Sequence, residues 1–200
     1  AQRALDAGCT QDDIFRLVEE IREFSDAPIV FYTYYNLVFS QGIKNYVERA
    51  KKVGVDGLLT LDLPPEEAEE LVKASKELEM KNIFIVAPTT PTWRIPVITN
   101  TASGFIYYVS REGVTGERDD LAGDLVERVD AIRKHTALPV VVGFGISNAD
   151  QVRQVAQASD GVVVGSALVN CISRNLSSPT LALEQIGEKA TELAGALGVK

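Results

Sequence analysis

The sequence has a single histidine, His135, and two cysteines, Cys9 and Cys171, which lie far apart with no C-x-x-C pair and no histidine nearby. That excludes the spacings of a structural zinc site or a disulfide framework and makes both thiols ordinary structural residues. His135, in "AIRKHTALP", sits at the polar end of a helical pattern and reads as a solvated helix-terminal residue. Acid and base chemistry is therefore left to carboxylates, Tyr or Lys. Basic clusters interleaved with aromatics are missing as well, and the net charge is −8, a poor match for a protein that works by neutralising nucleic-acid phosphates. Apolar runs such as "LPVVVGFGI" are far shorter than the roughly 20 residues needed to cross a bilayer. With no signal-peptide pattern at the start, the expected location is the cytosol, or a plastid stroma in a photosynthetic eukaryote. A G-x-G-x-x-G after a first strand is also lacking, which counts against dinucleotide binding.

What is present, over 200 residues that are 46% hydrophobic and 24% charged, is the make-up of one globular domain with a sizeable core. Short apolar runs alternate with longer amphipathic stretches. "APIVFYTYY" (27–35) precedes "GIKNYVERAKKVG", where Ile43, Tyr46, Val47 and Ala50 recur at helical spacing. "GLLTLDLP" (57–64) precedes a helix opened by Pro and Glu, "NIFIVAP" (82–88) precedes "TPTWRIPVITNTA", and "GFIYYV" (104–109) precedes "LAGDLVERVDAIRKH". "LPVVVGFGI" (138–146) and "DGVVVGSALV" (160–169) complete six strand-then-helix units. Continuously apolar strands are those of a parallel sheet buried on both faces. Periodicity leaves open a doubly wound sheet or a βα barrel. "AQRALDAG" reads as the tail of a helix stopped by Gly8, and "CTQDDIFRLVEEIREF" as a helix with Thr10 and Asp13 in capping-box spacing. Because a barrel closes with eight strands, one or two βα units are expected upstream of Ala1, making residues 1–200 a single, N-terminally incomplete barrel domain.

In parallel βα architectures ligands meet the carboxyl ends of the strands. Three glycine-bearing stretches fall there on the last three strands: "GVTG" (113–116), "GFGIS" (143–147) and "VGSALV" (164–169). Each turns peptide N–H groups outward, and a helix beginning at Ser166 adds its positive end, so together they read as a phosphate cradle. Asp62 is a carboxylate at the end of an apolar strand, and it either caps the following helix or hydrogen-bonds a substrate group. Tyr32, Tyr34, Tyr107 and Phe144 suit an aromatic mouth for a flat ring, or in part simply pack the core. Trp93 is assigned to packing.

"YYNLVF", "GVDGLLTLDLPPEEAEEL", "IFIVAPTTP", "ASGFIYYVSREGVTG", "VVVGFGIS" and "GVVVGSALV" occur in an order and spacing that resemble the tryptophan synthase α subunit family. The likeness spans essentially the whole chain. It implies a phosphate-binding (β/α)8 TIM barrel, of which the last six βα units would be present. It also implies a lyase that splits indole-3-glycerol phosphate into indole and glyceraldehyde 3-phosphate by a retro-aldol route. The subunit itself would carry no metal and no cofactor. By motif, Thr115, Gly116, Gly145, Gly165 and Ser166 would hold the phosphate, and Tyr32, Leu59, Ile85, Tyr107 and Phe144 would shape the pocket. The catalytic Glu and Asp would lie upstream of Ala1, with Asp62 and Thr115 supporting them. The implied partner is a pyridoxal-phosphate-dependent β subunit in an α2β2 assembly, touched by Asn36, Leu37, Phe39 and Pro64 on rim loops. Two alternatives are an allosteric subunit that mainly activates such a partner and another sugar-phosphate-binding barrel enzyme.

Overall fold

A computed structural model of the chain describes residues 2–110, 121–143 and 145–198. The chain opens with α1 (Gln2–Asp6) and α2 (Gln11–Arg22), and then β1 (Val30–Thr33) leads through a short helix, α3 (Tyr35–Phe39), to α4 (Ile43–Val53). Next come β2 (Gly57–Thr60), a 3-10 turn at Pro65–Glu67 and α5 (Glu69–Glu77). They are followed by β3 (Lys81–Val86), a second 3-10 turn at Thr92–Arg94, and α6 (Ile95–Thr101). The remainder is β4 (Ile106–Val109), α7 (Leu121–Arg133), β5 (Val140–Gly143), α8 (Ala149–Ala158), β6 (Gly161–Val163), α9 (Ser166–Arg174) and α10 (Pro179–Gly195). Two compact units result, Ala1–Phe84 with Thr101–Gly104 and Ile85–Asn100 with Phe105–Lys200.

In the first unit β1 pairs with β2 and β2 with β3, all parallel, with Tyr32 opposite Leu59 and Leu59 opposite Ile83. Side chains alternate across the sheet, so Phe31 faces the helices when Tyr32 faces away. Phe15 of α2 meets the Phe31 and Tyr46 rings edge-on, 5.5 Å from each centroid, and the Arg49 guanidinium lies 4.0 Å above Phe15. Such edge contacts add to plain burial because the ring edge is positive and its face negative. Ile43, Tyr46, Val47 and Ala50 are all buried, as their spacing predicts. The capping box at the start of α2 is also present, with the Thr10 hydroxyl accepting from the Asp13 N–H and the Asp13 carboxylate from the Thr10 N–H.

Arg22, at the end of α2, anchors the far side of this unit. Its guanidinium donates to the Gly54 carbonyl at 3.0 and 2.7 Å, to the Ser25 and Ala27 carbonyls, and to Asp56 Oδ2 at 2.7 Å. Gly54 ends α4 in the left-handed region at φ 101°, which leaves its carbonyl to be claimed from outside the helix. Asp56 Oδ2 accepts in addition the Ile29 N–H at 2.8 Å, tying the start of β1 to the start of β2.

The second unit repeats this device. β4, β5 and β6 are parallel, with Ile106 opposite Val140 and Gly143 opposite Val163. Ile106, Tyr108, Val140 and Val142 are buried, as are Val129 and Ile132 of α7 and Val152 and Val155 of α8. Asp160, just before β6, accepts the Val140 N–H at 2.8 Å and Arg133 Nη2 at 2.9 Å. A carboxylate between a backbone N–H and a helix-end arginine thus joins β5 to β6 as it joins β1 to β2.

Candidate phosphate site and partner face

The in-register pair Gly143 and Val163 closes the carboxyl ends of β5 and β6, so Gly145 and Gly165 each lie two residues beyond a matched strand end. Both are exposed. Gly145 has φ +74°, a conformation a side chain disfavours. Gly165 precedes α9, where no side chain caps the helix, and exposed Ser166 is the first helical residue. The Leu168 and Val169 N–H groups bond back to the Gly165 carbonyl, at 3.1 and 3.2 Å. The earlier N–H groups, at Ser166 and Ala167, have no intrahelical acceptor, and the helix dipole adds positive character at the same point. An anion fits such a terminus well. The other phosphate candidates, Thr115 and Gly116, lie outside the described residues, as does the pocket candidate Phe144.

Tyr107 of β4 is half-buried and crosses Gly143. A Cβ at position 143 would come within 2.7 Å of the Tyr107 hydroxyl, 2.8 Å of its ring and 2.8 Å of Val163 Cβ. The glycine is required because no side chain fits between β4 and β6 at this level. The Ser110 N–H then bonds the Gly143 carbonyl at 3.1 Å, holding the exit of β4 against the end of β5. Ile85, also in this unit, is half-buried near the end of β3.

One residue here escapes a reading by strand ends. Gln151 of α8 is buried, at 5% exposure, and its side-chain oxygen accepts the Ser147 N–H at 2.7 Å and the Ser147 hydroxyl at 3.1 Å. A glutamine in "NADQVRQVAQ" looks like part of a solvated helix face. Only the break in apolar periodicity before Val152 hints otherwise.

In the first unit, register places Tyr32 and Leu59 side by side on the face turned away from the helices. Leu59 is buried, whereas Tyr32 is 61% exposed. Partial desolvation, and then neighbouring Tyr34, push the Tyr32 hydroxyl above its ordinary value. Asp62 corrects the reading that it caps the helix that follows it in the chain, where no side chain caps the start. It is exposed, and its Oδ1 accepts the Tyr35 N–H at 2.6 Å, so it caps the helix after the preceding strand and not the one that follows it in the chain. Tyr34, which flanks α3, offers no capping oxygen, and that leaves the place for Asp62.

Asn36, Leu37 and Phe39 lie on α3 and not on a loop. Val38 is fully buried and pins the helix, while Leu37 is 36% and Phe39 66% exposed. Phe39 tilts against Tyr35 at 5.8 Å, and burial followed by Glu70 and Glu67 raises the Tyr35 hydroxyl's pKa. Pro64 is half-buried. Trp93 corrects the expectation that it packs: it is 69% exposed, because the three-residue turn that carries it buries none of its side chains.

The family model described as "Tryptophan synthase alpha chain" matches residues 1–197. The chain belongs to the tryptophan synthase alpha chain family. It is 62% identical over 197 residues to the tryptophan synthase alpha chain of Opitutus terrae, covering 98% of this chain and 73% of that one. The tryptophan synthase complex from Pyrococcus furiosus matches with a TM-score of 0.86 at 35% identity, over 97% of this chain and 77% of the solved one. A second Pyrococcus furiosus structure, addressing mutual activation of the tryptophan synthase α2β2 complex, matches with a TM-score of 0.83 at 35% identity, over 97% and 76%. The fold is therefore that of the family's (β/α)8 TIM barrel, of which six βα units are described here. The family's activity is that of a lyase of tryptophan biosynthesis, cleaving indole-3-glycerol phosphate.

Proposed function

We propose that these residues form the binding half of an indole-3-glycerol phosphate lyase site. The uncapped start of α9, level with Gly145 across a matched strand end, is the observation that carries this reading. Gly145, Gly165 and Ser166, joined by Thr115 and Gly116, hold the phosphate through peptide N–H and hydroxyl groups. Tyr32, Leu59, Ile85, Tyr107 and Phe144 wall the indole and glycerol parts of the substrate. Residues 1–200 work as part of one barrel domain.

The cleavage needs two proton transfers. An acid protonates the indole ring carbon as its bond to the glycerol chain breaks, and a base takes the indole N–H or glycerol hydroxyl proton, leaving indole and an aldehyde. We assign these tasks to a Glu and an Asp of the family that the motifs of this sequence do not include. Asp62 and Thr115 support them, Asp62 by fixing the chain between β2 and α5. Asn36, Leu37, Phe39 and Pro64 face the β subunit of an α2β2 assembly, whose pyridoxal phosphate serves the partner's chemistry. The enzyme works in the cytoplasm.

Ser166→Asp tests the phosphate site without threatening the fold, since a carboxylate in the first turn suits a helix start. In the α2β2 complex of the full-length subunit, the KM for indole-3-glycerol phosphate should rise about tenfold or more as the carboxylate repels the phosphate. An unchanged KM refutes the assignment. A protein of these 200 residues alone should show no cleavage, and turnover by it would overturn the role given to the Glu and Asp.

A further inference from the structure

We infer that Gln151 is a positioning residue for the phosphate end of the substrate, acting through the loop between β5 and α8 without touching the ligand. This rests on the proposal that Gly145 binds phosphate. A buried glutamine is costly unless its amide is satisfied, and here the carbonyl oxygen takes both the N–H and the hydroxyl of Ser147. The orientation of the amide is set by chemistry, because a backbone N–H can only donate. Gln151 is itself fixed at the helix start, where its own N–H donates to Asn148 Oδ1 at 2.9 Å. The next residue back, Ile146, is buried at 4% exposure. Gly145 is thus followed by two restrained residues, one held by packing and one by a buried acceptor. Gly145 has no side chain to narrow its backbone freedom, so at φ +74° the direction of its peptide is set by the restraints on the residues that follow it.

Without the acceptor the Ser147 N–H must seek water, and the loop relaxes. Binding that depends on pre-aimed peptide N–H groups then loses affinity, whereas bond cleavage elsewhere on the substrate does not. The expected signature is a rise in KM with kcat retained, a split that general loosening of the barrel would not produce.

The experiment uses the full-length subunit in its α2β2 complex, with indole-3-glycerol phosphate as substrate and glycerol 3-phosphate as a competing ligand. Gln151→Met keeps the length and removes the acceptor. It should raise both the KM and the inhibition constant of glycerol 3-phosphate about tenfold, with kcat little changed. Ser147→Ala, at an exposed position that cannot unfold the protein, removes one of the two contacts and should raise both constants by about threefold, and it decides the matter if Gln151→Met does not fold. Unchanged constants in the folded variants, or a fall in kcat at constant KM, overturn the inference. Ser166→Asp separates the two claims. If it leaves glycerol 3-phosphate binding intact, the phosphate site itself is misplaced; if it abolishes binding while Gln151→Met and Ser147→Ala do nothing, only the role of Gln151 fails.

Discussion

The Asp62 carboxylate accepts the backbone N–H of Tyr35 at 2.6 Å, so the chain leaving β2 caps the short helix that follows β1. Two segments 27 residues apart are joined by this bond, and each carries a part of the proposed partner face: Leu37 and Phe39 on α3, and Pro64 just past Asp62. A five-residue helix has little stability of its own and relies on such external contacts. Whatever moves the β2 exit therefore also moves the face presented by α3.

Asp62→Ala should uncap α3 at a cost of about 1 kcal/mol, measured by denaturant unfolding of the subunit. The larger effect should be on affinity for the β subunit, measured by titration calorimetry. An Asp62→Ala protein that binds the β subunit as well as the wild type does would show that α3 holds its shape without the cap.

Phe39 is a cleaner probe of the same face, because it is 66% exposed and its loss removes little from the core. Phe39→Ala should leave the unfolding midpoint nearly unchanged and weaken assembly with the β subunit by about 2 kcal/mol, the scale of a buried aromatic anchor at an interface. Equal affinity would move the partner face elsewhere.

Asp56 and Asp160 make the same pair of bonds in the two units, so their substitutions should have similar costs. Asp56→Ala leaves the Ile29 N–H and Arg22 short of an acceptor, and Asp160→Ala does so for the Val140 N–H and Arg133. Each should cost about 1–3 kcal/mol in urea unfolding. A loss well below 0.5 kcal/mol for either would mean that water replaces the carboxylate without penalty.

Acid should weaken the start of α2. The Thr10 hydroxyl first, and then the Thr10 N–H, hold the Asp13 carboxyl below its ordinary value, against a smaller desolvation effect and with added attraction from Arg16. A group whose folded-state value is depressed contributes fully above its unfolded value, and that contribution is lost as pH falls through the folded one. Wild type should thus exceed Asp13→Asn in thermal stability near neutrality, and the gap should close in acid. A gap that stays constant across the titration would refute the capping role.

Long periodic elements were legible in the sequence, and short or distant ones were not. Four residues at helical spacing mark the buried face of α4, and the Thr10–Asp13 spacing marks the cap of α2, because both signals are local. α3 spans little more than one turn, so "YYNLVF" has no period to read and passes for a rim loop after a strand. Asp62 is bound by a residue 27 positions earlier, a pairing that only the strand register creates. Ser166 and the glycines of the last two strands could be placed because they stop apolar runs at a defined end of a parallel sheet. Gln151 could not, since a polar helical residue reads as solvated until the fold covers it.

The close fit of Tyr107 over Gly143 bears on how this enzyme can vary. A scan of single substitutions would score position 143 as intolerant and invite the conclusion that it handles substrate, although the obstacle is its neighbours' volume. Divergence at this level of the barrel has to proceed by covariation, with a smaller residue at 107 admitting a larger one at 143 and Val163 yielding behind them. A library that varies any one of these positions should therefore encode 107, 143 and 163 together.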